Sequence, residues 1–323
     1  MWPRASQVAG RLSIGDSNVP LPTPVIFDLL PGQLQTTEVG EMAFAAVRGG
    51  QFDLHGFPGA SSDRAWTRLA NTARAGDSNI LVRGDGVGLW PVGSEIVVAS
   101  SDFNGSHSEQ RTVVNATRMP HGQITLTLDA PLGYRHHGTP LTYGGVTVDE
   151  VSAEVGLLTR MIKVRGPRSA DKDGFGGHAG AFNTATPQTI DGVELVRLGQ
   201  QGLPGRYPMH LHMSLNHSGT VIRRNSVRES YQRCIVVHGT TDAVVEDNVV
   251  FRAAGHCIML EDGYETDVVL RSNLVVSLLP PKVMPNNSPH PRDDTNPNKK
   301  CEDCSEDDYT PTGFSGSRTR RPT

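Results

Sequence analysis

Three segments repeat one pattern: Val221–Val227 reads VIRRNSV, Val244–Val250 reads VVEDNVV and Val269–Val275 reads VLRSNLV. Each holds an asparagine at the same place, and Cys234 and Cys257 follow the first two asparagines at equal distance. Repeats of about 20 to 30 residues made of short strands suit a parallel β-helix, in which each coil buries its apolar face against its neighbours. A leucine-rich solenoid would need a Leu-x-x-Leu-x-Leu spacing, which is missing. We therefore predict stacked coils along which the asparagine amides hydrogen-bond.

The rest of the chain divides by composition. Residues 10–146 are short apolar alternations between turn-forming residues, which is typical of half-buried strands, and one stretch, 63–75, reads as a short helix. Residues 147–279 hold the regular repeats, residues 1–9 are a short lead, and residues 280–323 are rich in proline and charge, so we expect them to be disordered. We predict an all-β protein: a β-rich domain at 10–146, then a right-handed parallel β-helix of the pectin-lyase type at 147–279.

Composition excludes several classes of protein. The 323 residues include 35 Gly and 22 Pro, a density of turn formers that argues against a helical bundle. No run of about 18 apolar residues exists, so we expect no membrane span in this chain, and no secretory signal is recognised at its start. A net charge of −4 without a long basic tract argues against a nucleic-acid partner. Four cysteines are too few for a disulfide scaffold, and we expect Cys234 and Cys257 in the core or in a ladder.

Histidines concentrate in the repeats, where five of the twelve lie between His210 and His256. Aligning the coils places His212 beside His238 and Glu261. Two purely apolar rows alternate with this one, namely Met209, Ile235 and Ile258, and Leu211, Val237 and Leu260. Since neighbouring side chains on a strand point to opposite faces, the apolar rows should face inward and the polar row outward. With coils about 4.8 Å apart, the polar row would form a ladder on one external face.

The ladder of His212, His238 and Glu261 has three interpretations. Neutral histidine and glutamate are good ligands for zinc or a similar ion, so the three could hold a divalent metal, the one cofactor we consider. They could instead act as general acid and base, because histidine titrates near neutral pH and a carboxylate beside it tunes it. The third interpretation is a hydrogen-bonded ladder with a purely structural role. The residues alone leave all three open.

Carboxylates and arginines form a second set of candidates. Glu261 and Asp262 lie at the end of the ladder strand. They are candidates for catalysis because glycosidases typically use two carboxyl groups about 5 to 9 Å apart. Arg206 could pair with the carboxylate of an anionic sugar. The candidates for substrate binding are Arg206, Tyr207, His210, Arg233 and His256. By strand alternation Tyr207, Arg233 and His256 would point inward, but they lie near the start of their strands, where a turn can bring them to the surface. We read the glycine-rich stretch 174–180 as a flexible loop near the mouth of the site.

Several motifs, in order, resemble a known family. The segments 10–15 (GRLSIG), 49–56 (GGQFDLHG) and 90–99 (WPVGSEIVVA) are similar to the eight-glycine, or G-eight, domain. The segments 205–212 (GRYPMHLH) and 255–263 (GHCIMLEDG) are similar to the right-handed β-helix that follows it. This arrangement occurs in the family that includes the cell migration-inducing hyaluronan-binding protein, the transmembrane cell-surface hyaluronidase and fibrocystin-like proteins.

The resemblance implies an extracellular or cell-surface protein that binds, and in some members depolymerises, an anionic polysaccharide such as hyaluronan. As a glycoside hydrolase it would use Glu261 or Asp262 as general acid or base, with His212 and His238 orienting the substrate and Arg206 pairing with a uronate. The alternative is a non-catalytic surface receptor or adhesion module whose histidine ladder is structural. A truncated fragment of a longer protein is a third reading, and the sequence does not decide among them.

Overall fold

The computed structural model describes residues 6–32, 39–148, 151–280 and 312–316. In chain order the strands are β1 (Ser6–Val8), β2 (Arg11–Ile14), β3 (Val25–Asp28), β4 (Ala43–Val47), β5 (Gln51–His55), β6 (Trp66–Arg68), β7 (Asn79–Val82), β8 (Glu95–Val98), β9 (Glu109–Arg118), β10 (Ile124–Leu128), β11 (Leu141–Tyr143), β12 (Val146–Val148), β13 (Glu154–Leu157) and β14 (Ile162–Arg165). They continue as β15 (His178–Phe182), β16 (Thr189–Asp191), β17 (Val193–Val196), β18 (Met209–Asn216), β19 (Val221–Arg223), β20 (Ser226–Ser230), β21 (Ile235–Thr241), β22 (Val244–Glu246), β23 (Val249–Ala254), β24 (Ile258–Leu260), β25 (Val269–Arg271), β26 (Leu274–Leu279) and β27 (Phe314–Gly316). The helical segments are α1 (Ala170–Asp173) and two 3₁₀ turns, Gly105–His107 and Pro120–Gly122.

Three parallel sheets form the coils. The first has the strand order β1-β4-β15-β18-β21-β24-β27, the second β2-β5-β16-β19-β22-β25, and the third β3-β14-β17-β20-β23-β26. The chain visits the three sheets in turn, and each visit adds a strand beside the strand of the coil before. This is the architecture of a parallel β-helix, so the predicted fold class is confirmed.

An antiparallel unit interrupts the second coil, between β5 and β14. Its six-stranded sheet has the order β6-β13-β8-β9-β10-β7, and β11 pairs with β12 in a separate hairpin. The core of this insertion packs against outward-facing side chains of the third sheet, among them Val249, Phe251 and Leu274. The division into domains stays a prediction, but the sheets do not follow the predicted boundary at residue 146. Strands β1 to β5 already belong to the coils, because strand pairing is set by distant segments that local alternation does not reveal.

The predicted apolar rows form the interior of the coils. The parallel register aligns Met209 with Ile235 and Ile235 with Ile258. These three, together with Leu211 and Val237, lie in one core cluster, in which none is more than 3% exposed. The inward parity inferred from the sequence is therefore correct, and side chains of the opposite parity face outward.

The predicted asparagine ladder is also present. Asn225 Nδ2 donates to Asn248 Oδ1 at 2.9 Å, and Asn248 Nδ2 donates to Asn273 Oδ1 at 2.9 Å. The residue before each asparagine has a left-handed backbone, with φ between 50° and 54°: Arg224, Asp247 and Ser272. The ladder therefore lines the turn between the second and third sheets, where it satisfies backbone groups that the bend leaves without a strand partner.

Cys234 and Cys257 lie in the core, as expected, and form a disulfide between neighbouring coils. Their Cα atoms are 4.5 Å apart, a distance set by the spacing of adjacent strands. Cys301 and Cys304 lie outside the described residues.

Three smaller predictions have different outcomes in the structure. The helix read at 63–75 is wrong, because Trp66–Arg68 form strand β6, which pairs with β13. In the predicted lead 1–9, residues 6–8 form β1, which pairs with β4. Most of the tail, 280–323, lies outside the described residues, but its segment 314–316 pairs with β24. Among the described residues, no helix has the length and apolarity needed to span a bilayer.

Candidate functional site

Strands β18, β21 and β24 bring the predicted ladder together on the outer face of the first sheet. His212 is aligned with His238, and their ring centroids are 4.9 Å apart. Glu261 directly follows β24, and its backbone N–H donates to the Val237 carbonyl at 3.0 Å. The three side chains therefore share one face on successive coils, while their chemical role stays a prediction.

His210 lies on the same face and at the centre of the group. Its ring is fully buried, 5.0 Å from that of His212 and stacked parallel to that of His238 at 6.0 Å. Nδ1 is 3.1 Å from the Gly205 carbonyl, which can only accept, so Nδ1 carries the proton. Nε2 is buried without a hydrogen-bond partner and lies 3.9 Å from Glu261 Oε2. Burial holds the pKa of His210 well below its usual value, so the ring is neutral.

Glu261 is held in place through its other carboxylate oxygen. Arg233 Nη1 donates to Glu261 Oε1 at 2.9 Å, and Tyr207 Oη donates to the same oxygen at 2.9 Å. Arg233 Nη1 also donates to Tyr207 Oη at 3.0 Å, which closes a triangle. Burial raises the pKa of Tyr207 to about 12, so the phenol keeps its proton and remains a donor. The Arg233 side chain is only 2% exposed and that of Glu261 only 9%, so this is a buried ion pair.

His238 links the buried carboxylate to an exposed one. Its Nδ1 is 3.6 Å from Glu261 Oε2, and its Nε2 is 2.8 Å from Asp262 Oδ2. The Asp262 side chain is 42% exposed, so it forms the solvent-facing end of the group. Glu265 fixes the loop that carries Asp262, because its carboxylate accepts from the backbone N–H groups of Gly239, Asp262 and Gly263 at 2.9, 3.2 and 2.7 Å.

The remaining predicted residues lie around this centre. Arg206 is half-buried and packs so closely on Gly40 that a Cβ there would be 3.0 Å from its Nη2. Burial lowers the pKa of His212, and the positive charge of Arg206 adds to that shift. His256 is engaged with Thr312, whose backbone N–H donates to its Nδ1 at 3.1 Å. Burial, with the charge of Arg233, lowers the pKa of His256. Tyr207 and Arg233 contact Glu261 on the outer side of the sheet. Both side chains are nevertheless buried, so the turn before their strands does not bring them to the surface, and their role in substrate binding stays a prediction.

Sequence reasoning missed two buried neighbours on β15. Phe182 is aligned with His212, and its ring meets that of His210 edge-on at 5.5 Å. His178 lies two positions from Gly180, which is aligned with His210, and burial lowers the pKa of His178 to about 3. The expectation of a flexible loop over 174–180 is wrong for its last residues, because 178–180 belong to a buried strand. The alternation of His178, Gly180 and Phe182 was the available signal, since all three share the parity of the histidine row.

Glu265 was also missed. It lies in an acidic run that reads as a solvated loop, and the three backbone N–H groups that it binds come from two coils. Nothing local in the sequence distinguishes it from its acidic neighbours.

Comparisons with known proteins show which family the chain resembles. Residues 174–314 match the model of the CEMIP beta-helix. A G8 domain-containing protein of Dictyostelium discoideum is 35% identical over 239 residues, which is 74% of this chain and 15% of that protein. Fibrocystin-L of Homo sapiens is 32% identical over 308 residues, which is 83% of this chain and 7% of that protein.

The chain thus spans only a small part of the curated relatives that it matches. Solved structures offer weaker likenesses. The tailspike gp61 of Pseudomonas phage phi297 covers 79% of this chain and 50% of its own, at 9% identity and a TM-score of 0.19. The Gp54 tailspike of Acinetobacter baumannii bacteriophage AP22, solved in complex with a capsular saccharide, covers 78% and 52%, at 10% identity and a TM-score of 0.21. Scores this low carry no argument about function. The family model, the sequence relatives and the coil topology agree, and the chain is similar to proteins that combine a G8 domain with a CEMIP-type β-helix.

Proposed function

We propose that this chain binds an anionic polysaccharide along the outer face of the first sheet and hydrolyses it there. The observation that carries the proposal is the position of His238 between a buried carboxylate, Glu261, and an exposed one, Asp262. One imidazole ring separates the two carboxyls, a spacing compatible with the roughly 5 to 9 Å found in glycosidases. The family resemblance makes hyaluronan the first polysaccharide to test.

The two carboxyls have different surroundings and would take different roles. Asp262 is the one that a glycosidic oxygen can reach, so we assign it to proton transfer, with His238 Nε2 as its hydrogen-bond partner. Glu261 is paired with Arg233, and its carboxylate would stabilise the positive charge that develops on the sugar ring. Arg206, at the edge of the group, would pair with a uronate carboxylate.

We also infer that the protein functions outside the cell or at its surface. The disulfide between Cys234 and Cys257 joins two coils in the core. Disulfides form and persist mainly in oxidising compartments, so this bond supports an extracellular placement.

The second candidate function is a non-catalytic surface receptor or adhesion module. It is favoured by the burial of His210 and Glu261, because a structural ladder would also be covered and paired in this way. The two candidates differ in whether a bound polysaccharide becomes shorter.

The test is incubation of the purified chain with hyaluronan, and with neutral dextran as comparison, followed by measurement of polymer length by size-exclusion chromatography with light scattering. We expect the chain to shorten hyaluronan but not dextran, and Asp262→Asn to slow this by about 100-fold or more. Asp85→Asn, a change at an exposed carboxylate in the insertion, should leave the rate unchanged.

Two outcomes would contradict hydrolysis. Binding of hyaluronan without any change in its length would favour the receptor alternative. Equal rates for Asp262→Asn and the unchanged chain would remove Asp262 from the mechanism.

A further inference from the structure

One ligand atom from each of His210, His238 and Glu261 lies within 4.8 Å of the other two. We propose that these three residues bind a single divalent transition-metal ion of the zinc class. The set differs from the ladder read from the sequence, since His210 takes the place of His212. The inference goes beyond the proposed polysaccharide activity, because metal binding is measured on the protein alone.

The spacing of the three atoms fits a metal site. Around a tetrahedral zinc ion with bonds of about 2.0 to 2.2 Å, ligand atoms lie about 3.4 Å apart. Here Glu261 Oε2 is 3.6 Å from His238 Nδ1 and 3.9 Å from His210 Nε2. The ligand atoms of the two histidines lie within 4.8 Å of each other. Side-chain rotations that move these atoms by up to about 1 Å would bring all three to the spacing that a tetrahedral ion requires.

The tautomers also fit, because each histidine has its other nitrogen occupied. His210 Nδ1 donates to the Gly205 carbonyl, which leaves the lone pair on Nε2. His238 Nε2 lies 2.8 Å from Asp262, and donation to that carboxylate leaves the lone pair on Nδ1. Carbonyl and carboxylate partners of this kind are the usual outer shell of metal-binding histidines, where they fix the ring and its tautomer.

A metal would also explain one of the buried polar atoms that lack a hydrogen-bond partner. His210 Nε2 is buried and accepts no hydrogen bond within the described residues. Leaving a buried acceptor unsatisfied costs free energy, roughly 1 to 3 kcal/mol in typical cases. A cation at the centre of the three ligand atoms would satisfy it, and Arg233 and Tyr207 would hold the far oxygen of Glu261.

The donor set selects the class of metal. Two imidazole nitrogens and one carboxylate oxygen suit zinc, cobalt or nickel, whereas calcium and magnesium prefer sites built from oxygen alone. Three protein ligands leave a coordination position open, and His238, at 23% exposure, marks the side from which water could enter it.

The test is calorimetric titration of the purified, chelator-treated chain with Zn²⁺, with the visible absorption of Co²⁺ as a second readout. Because the thiolates of Cys301 and Cys304 could also bind zinc, the titration is performed with both changed to serine. We expect one ion per chain, and calcium at equal concentration should not displace it. His238→Ala should weaken binding by more than the 10- to 100-fold typical of outer-shell changes.

Two further variants separate the ligand sets, and thermal unfolding shows whether each remains folded. His212→Ala should reduce affinity far less than His238→Ala, and His121→Ala, at an exposed histidine of the insertion, should not reduce it. The proposal is overturned if no ion binds, if His238→Ala binds as the unchanged chain does, or if calcium competes equally. Since none of these measurements involves a polysaccharide, failure here would leave the proposed hydrolysis to its own test.

Discussion

At the residue scale, Arg233 forms an ion pair with Glu261 in a place with little access to water. The guanidinium donates to Glu261 Oε1 and to Tyr207 Oη. A buried pair of this kind is not a large source of stability in itself, because both charges lose their hydration. Breaking it is costly, since the remaining charge stays buried without compensation.

Arg233→Met should therefore destabilise the protein by about 3 to 5 kcal/mol, measured by urea unfolding of the metal-free chain. Adding Glu261→Gln should recover part of that loss, because the uncompensated charge disappears. Arg168→Met, at an exposed arginine, should change stability by less than about 0.5 kcal/mol. No recovery in the double variant would show that Arg233 acts through packing and not through its charge.

Sequence reasoning at this scale predicted the face on which His212 and His238 lie, but not the direction of their ring atoms, and it gave Tyr207 and Arg233 the wrong parity. The parity of His212 and His238 followed from alternation along a strand. His210 replaces His212 among the proposed metal ligands because the Gly205 carbonyl, which lies in a turn, orients the His210 ring. A turn conformation of that kind leaves no periodic signal in the sequence.

At the scale of the elements, the asparagine ladder joins the turns of successive coils. Asn248 lies in its middle: it accepts from the backbone and side chain of Asn225, and donates to the Ile222 carbonyl and to Asn273. Asn273, at the end, accepts from Asn248 and donates to the Val245 carbonyl. Asn248 is fully buried, whereas Asn273 is partly exposed.

Asn248→Ala should therefore cost about 3 kcal/mol in urea unfolding, because several buried donors and acceptors lose their partner. Asn273→Ala should cost about 1 to 2 kcal/mol, since water can reach the groups that it leaves behind. Asn18→Ala, on an exposed turn, provides the reference. Equal losses at Asn248 and Asn273 would contradict the argument from burial.

The elements also show where prediction from sequence succeeds. The register of β18, β21 and β24 was predictable because consecutive coils repeat directly in the chain. The pairing of β14 with β3 was not, because the whole insertion separates that strand from its coil. Short alternating strands look alike in both units, so local pattern cannot assign them to parallel coils or to an antiparallel sheet.

At the scale of the whole molecule, charged groups join the insertion to the coils. Arg224 donates to Asp191 through Nε and Nη2 at 2.8 and 2.6 Å, and to the carbonyls of Ala60 and Ser61 at the start of the insertion. Asp247 Oδ2 accepts from the Ala65 backbone N–H at 2.8 Å. The turn that carries the asparagine ladder thus also docks the insertion, so stability of the two units is coupled.

Asp247 makes this junction sensitive to pH. Burial raises its pKa to about 6, above the value of 3.8 for an exposed aspartate. The folded state therefore binds the proton more tightly than the unfolded state, and the stability that this contributes at low pH is lost as pH rises through about 6. Above that pH the ionised carboxylate costs folding free energy. Asp247→Asn removes the charge, keeps an oxygen for the Ala65 N–H and suits the left-handed backbone at this position.

Asp247→Asn should consequently be more stable than the unchanged chain by about 1 to 3 kcal/mol at pH 8, with the difference vanishing near pH 4. Urea unfolding of both chains across that range measures it, and comparing them at each pH cancels the contribution of the buried histidines. Asp267→Asn is the matched control, because Asp267 is exposed and has the same left-handed backbone, with φ of 58° against 53° at Asp247. A gain of the same size at pH 4 and pH 8 would mean that backbone preference, and not the buried charge, governs this junction.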